Sequence, residues 1–126
     1  MKLRIQGNSL RLRVTRSELD KFASSGRIEE TIYFAADERS RLTYALERSR
    51  DASAMAIRFE PGAIAVILPA DSADAWRASD KEGIYATVDL GPRGILEVSV
   101  EKDFACLHRD EAGNADSFPN PHSARS

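Results

Sequence analysis

The apolar side chains of this chain recur in one serial order twice, and that repeat limits what it can fold into. Leu3/Ile57, Ile5/Phe59, Leu10/Ile64, Leu12/Val66, Val14/Leu68, Phe22/Trp76, Leu42/Leu96, Tyr44/Val98 and Leu46/Val100 are each separated by 54 positions. In one stretch, Ile28/Ile84, Ile32/Val88 and Phe34/Leu90, the separation is 56. Most of these positions alternate with polar neighbours, which is the period of a strand with one buried face. Each half therefore predicts a strand–strand–helix–strand–strand unit, residues 1–50 and 54–102, followed by an irregular tail over 103–126.

Local signals place the elements. Leu3 and Ile5, then Leu10, Leu12 and Val14, flank Gly7-Asn8, a hairpin signature. Thr15-Arg16-Ser17-Glu18 reads as a capping box, in which the threonine oxygen accepts a free amide and the glutamate reaches back. The helix it opens carries Leu19, Phe22 and Ala23 on one face and ends at Gly26, where a left-handed cap is cheapest for glycine. A third strand holds Ile28, Ile32 and Phe34. A polar loop at 36–40 leads to a fourth with Leu42, Tyr44 and Leu46. In the second half Pro61-Gly62 makes the hairpin turn, Pro69-Ala70-Asp71 opens a helix carrying Trp76, and Gly91-Pro92-Arg93-Gly94 separates the last two strands.

A four-stranded unit with one short helix cannot cover its own apolar face. The expectation is one α+β domain over 1–126, of two tandem ββαββ units in an eight-stranded, mostly antiparallel barrel or sandwich with two short helices. At 126 residues the chain can bury one good core but not two. No apolar run approaches the ~20 residues of a spanning helix, the N-terminus shows no signal-peptide stretch, and a single cysteine excludes an internal disulfide framework. These features predict a cytoplasmic protein with no membrane association.

Charge is unevenly divided. Residues 1–50 carry eleven Lys/Arg against seven Asp/Glu, and residues 51–126 carry seven against thirteen. Opposite halves can attract within one fold or across a dimer, or a basic face can meet an anionic ligand. Alternation puts Lys2, Arg4, Arg11 and Arg13 together on the side of the first hairpin away from Leu3, Ile5, Leu10 and Leu12, with Arg16 near. Guanidinium groups so arranged suit phosphates or carboxylates. The plainer reading is a solvated strand face. No aromatic ring is interleaved there, so base stacking and nucleic-acid binding are not indicated.

Two other features stand out. The tail gathers Cys106, His108, Asp110 and His122, residue types that can hold zinc or iron. Cys106 and His108 would equally suit a nucleophile pair. Their spacing matches no specific motif, and an inert cysteine with a pinned tail is the plainer reading. Metal analysis of untagged protein separates these alternatives. Glu30 shares a face with Ile28 and Ile32, where an unpaired carboxylate is costly. A strand end or a bulge that turns it outward would relieve the cost.

The opening Lys2–Glu18, the stretch Leu42-Thr43-Tyr44-Ala45-Leu46-Glu47, and the ending Glu101-Lys102-Asp103-Phe104-Ala105-Cys106-Leu107 with Phe118-Pro119-Asn120-Pro121 resemble a family of small uncharacterised bacterial proteins. The resemblance implies no activity, cofactor or site residue. The triphosphate tunnel enzymes also use antiparallel strands with alternating charges, but their Glu-x-Glu-x-Lys opening is absent. The expected function is a binding or structural module, as a homodimer or with a protein partner. Its contact surface would be the basic hairpin face, which also suits a small anionic ligand, or the tail. The alternative is a metal-binding or hydrolytic protein using the tail cluster.

Overall fold

A computed structural model describes residues 1–104. The elements run β1 (Lys2–Gln6), β2 (Ser9–Val14), α1 (Arg16–Ser25), β3 (Arg27–Tyr33), β4 (Arg41–Ser49), β5 (Ala56–Glu60), β6 (Ala63–Pro69), α2 (Ala70–Ala78), β7 (Gly83–Asp89) and β8 (Ile95–Lys102), with a short 3-10 turn at Gly91–Arg93 before β8. The order strand–strand–helix–strand–strand thus occurs twice. Thr15 caps α1 with the reciprocal Glu18 contact, and Gly26 closes it at φ 81°, where a side chain would be strained. In α2 the N-cap position is Pro69, whose ring presets the backbone but offers no side-chain acceptor.

The strands form two four-stranded sheets, ordered β1-β2-β8-β7 and β3-β4-β6-β5. No closed barrel forms, so the sandwich is the architecture. The outer pairings are antiparallel and the central ones, β2 with β8 and β4 with β6, are parallel. Neither repeat unit makes a sheet of its own. Each sheet takes one hairpin from each half, and the two helices carry the chain across from one sheet to the other. The expected sandwich of two tandem ββαββ units stands, with the units interleaved through both sheets. The reason is connectivity: each helix follows one hairpin and delivers the chain to the opposite sheet, so the two hairpins of a unit cannot share a sheet, while β5 brings the chain back so that β6 pairs parallel with β4.

The exchange preserves the repeat in full. Leu10 lies opposite Val98 as Ile64 lies opposite Tyr44, and Leu3 lies opposite Leu12 as Ile57 lies opposite Val66. Ile28 opposite Leu46 recurs as Ile84 opposite Val100. The molecule therefore has internal pseudo-twofold symmetry, with each half supplying equivalent strands to opposite sheets.

One core serves both sheets and both helices. Leu12, Val14, Phe22, Leu46, Val66, Leu68, Trp76, Val98 and Val100 are fully buried, each contributing roughly 1.5–3 kcal/mol by burial. Phe22 and Trp76, repeat equivalents, are the largest of them. The Trp76 indole Nε1 donates to the Glu82 carbonyl at 3.2 Å, so its polar atom is satisfied inside the core. The helices sit at one end, linked by Arg77 Nη2 to Asp20 Oδ1 at 3.2 Å. The turns at 7–8 and 61–62 and the loops at 34–40 and 90–94 lie at the other.

Candidate functional site: the charged face of the first sheet

With Leu10, Leu12 and Val14 committed to the core, their neighbours on β2 must face outward. Two rows of side chains result on the β1-β2-β8-β7 sheet. One runs Lys2, Arg13, Glu101, Gly83. The next runs Arg4, Arg11, Ser99, Tyr85. The four basic residues singled out from alternation are thus brought together, Lys2 across from Arg13 and Arg4 across from Arg11.

β8 brings a carboxylate into their midst. Glu101 is only 7% exposed, the one buried charged residue among those described. Its Oε1 accepts from Arg13 Nε at 3.1 Å and lies 3.6 Å from Arg11 Nε, while its Oε2 accepts from the Tyr85 hydroxyl at 2.9 Å. A buried charge so surrounded is fully compensated. Lys2 Nζ pairs with Asp103 Oδ2 at 3.2 Å. Arg4 Nη2 donates to Gln6 Oε1 at 3.1 Å. Arg11 and Arg13 are each about one-third exposed, so their remaining N–H groups face solvent. Arg16 lies apart, in a cleft of about 780 Å3 at the helix end with Leu19, Asp20, Arg77, Lys102 and Phe104.

Tyr85 ionises late. Burial, then its hydrogen bond to Glu101 and that carboxylate's charge, push its pKa up to about 12 from 10. Because the folded value exceeds the unfolded one, the stabilisation linked to Tyr85 is complete below pH 10 and is lost as pH rises towards 12. In Glu101→Gln, the Tyr85 ionisation followed by ultraviolet absorbance is expected to move down towards 10. An unchanged midpoint would show that the carboxylate does not govern it.

The second sheet carries the repeat-equivalent glutamate, Glu47, held by Arg58 and by Arg27, whose Nε lies 3.0 Å away. Arg58, offset by burial but reinforced by Arg27, keeps the Glu47 carboxyl below the usual carboxylate range. Positions equivalent to Arg11 and Arg13 are Ala65 and Ile67 there. The glutamate belongs to the repeated scaffold, whereas the arginine pair on the central strand belongs to the first sheet alone.

Glu30 is neither at a strand end nor at a bulge, contrary to expectation. It pairs in regular register with Tyr44 on the edge strand β3, partly exposed, and its carboxylate meets the Met1 ammonium, which also pairs with Glu18. Burial would lower the pKa of that ammonium, but the two carboxylates more than reverse this and raise it. Glu30 is thus relieved by solvent and by a counter-charge, without a bulge.

Cys106, His108, Asp110 and His122 lie outside the described residues. Among the described residues no three His, Cys, Asp or Glu side chains gather where they could hold a metal ion, and no helix is long and apolar enough to cross a membrane. Sequence reasoning missed Glu101 and Tyr85 as members of the charged face. A signal for the first existed: Glu101 stands 54 positions after Glu47, in step with the apolar repeat. The model of a family of unknown function matches residues 1–122. No curated protein and no solved structure matches the chain.

Proposed function

The chain belongs to DUF7009, the family of unknown function whose model spans it, and we propose that it works as a binding module whose contact surface is the outer face of the β1-β2-β8-β7 sheet. The ligand chemistry that fits is a cluster of carboxylates on a protein partner. One observation carries this reading: two otherwise equivalent sheet faces differ in that only one sets an arginine of its edge strand opposite an arginine of the inner strand beside it, Arg4 opposite Arg11, where the other sheet has Arg58 opposite Ala65. Burial and stability require the shared features, the core rows and the clamped glutamate. They do not require Arg4 facing Arg11.

Glu101 and Tyr85 then act as scaffold. They hold the Arg11 and Arg13 side chains in place, which reduces the entropy lost when the free N–H groups engage a carboxylate. The Arg4–Arg11 pair is the contact itself: Arg4 meets Gln6 rather than a carboxylate among the described contacts, and Arg11 shares Glu101 with Arg13 at the longer distance of 3.6 Å. A polyglutamate peptide is a suitable probe by calorimetry. Binding is expected to weaken steeply with salt and to fall at least ~10-fold in Arg4→Ala/Arg11→Ala, with thermal unfolding little changed. Equal binding by the double variant, or salt-independent binding, removes the reading.

A further inference from the structure

The inner faces of both sheets run on beyond the buried rows at the end opposite the helices. Ile5 is 61% exposed, Phe59 72%, Phe34 70%, Ile32 46% and Leu90 37%. All five belong to the alternating apolar series that elsewhere fills the core. Ile5 and Phe59 are repeat equivalents, and so are Phe34 and Leu90. Together they leave on the order of 500 Å2 of apolar surface open, at the upper end of what a monomer tolerates. A stable homodimer takes ~800 Å2 from each partner, which the half-buried Leu42, Ile64, Val88 and Leu96 behind them would help complete.

We infer that this end is the interface of a homodimer, in which Ile5 and Phe34 of one copy meet Phe59 and Leu90 of the other. The internal pseudo-twofold makes the surface self-complementary. At each equivalent pair one side is aromatic and the other aliphatic, so a half-turn places large against small on both sides, as an isologous contact requires. The rim charges fit a second copy better than a partner of one sign. The 34–40 loop carries Asp37, Glu38 and Arg39, and its counterpart carries Arg93 beside Asp89. This interface is distinct from the charged outer face and leaves it open.

The full chain tests this by light scattering and sedimentation over a wide concentration range. The wild type is expected to dimerise, and Phe34→Glu or Phe59→Glu to weaken the dimer by ~30-fold or more while circular dichroism stays native. Phe34→Ser serves if the charged variants misfold. An equimolar mixture of Ile5→Lys and Phe59→Glu should recover dimer that neither forms alone, because one contact regains complementary charge and the other stays apolar. A wild type that is monomeric at every concentration, a dimer that survives both glutamate variants, or a mixture without recovery overturns the inference.

Discussion

Trp76→Ala is expected to lower the unfolding free energy by about 3–5 kcal/mol, the cost of emptying a large aromatic site. Trp76 is fully buried on α2, with its ring in the shared core and its Nε1 donating to the Glu82 carbonyl. Truncation removes apolar contact with both sheets and leaves that carbonyl without its indole partner. Urea unfolding followed by far-ultraviolet circular dichroism measures the loss. Phe22→Ala, at the equivalent place on α1, should cost a comparable amount. A loss below about 1 kcal/mol for either would mean that the helices are peripheral rather than part of one core.

Gly83→Ala should destabilise by about 1–3 kcal/mol although it adds a single methyl group. An added Cβ would stand 2.6 Å from the Val100 carbonyl oxygen, 2.9 Å from Glu101 Cγ and 3.0 Å from the Tyr85 hydroxyl oxygen. The nearest atom is backbone in the centre of the sheet and cannot swing aside. The other two are the carboxylate arm and the phenol that organise the charged face. The same urea experiment reports stability, and the Tyr85 titration reports the site: its midpoint should fall as the hydroxyl is pushed off Glu101. In the double variant Gly83→Ala/Glu101→Ala most of the destabilisation should remain, since the backbone contact is untouched. Full recovery in that variant would assign the cost to the side chain instead.

The charged face shows where sequence reasoning reaches and where it stops. Alternation along β1 and β2 was enough to put Lys2, Arg4, Arg11 and Arg13 on one side, because side chains on a strand point to opposite faces in turn. It could not bring in Glu101, 88 positions from Arg13, because a parallel neighbour is joined by no local turn that would announce it. Ile5, Phe34 and Phe59 taught the converse. They obey the apolar period as faithfully as Leu12 or Val100, yet they lie exposed, since period reports which face a side chain takes and not whether anything covers it.

The strands, the caps of α1, the buried face of each element and the twofold repetition of the whole set were legible from residue order alone. These depend on backbone preference and on the spacing of apolar groups within ten or so residues. The exchange of hairpins between the halves, the placing of β2 beside β8 and β4 beside β6, and the anchoring of the β2 arginines by Glu101 came from three-dimensional packing. Any sandwich that buries the same faces satisfies the same local pattern. The choice among them rests on how α1 and α2 cross between sheets and fill a single core, a matter of packing among distant residues.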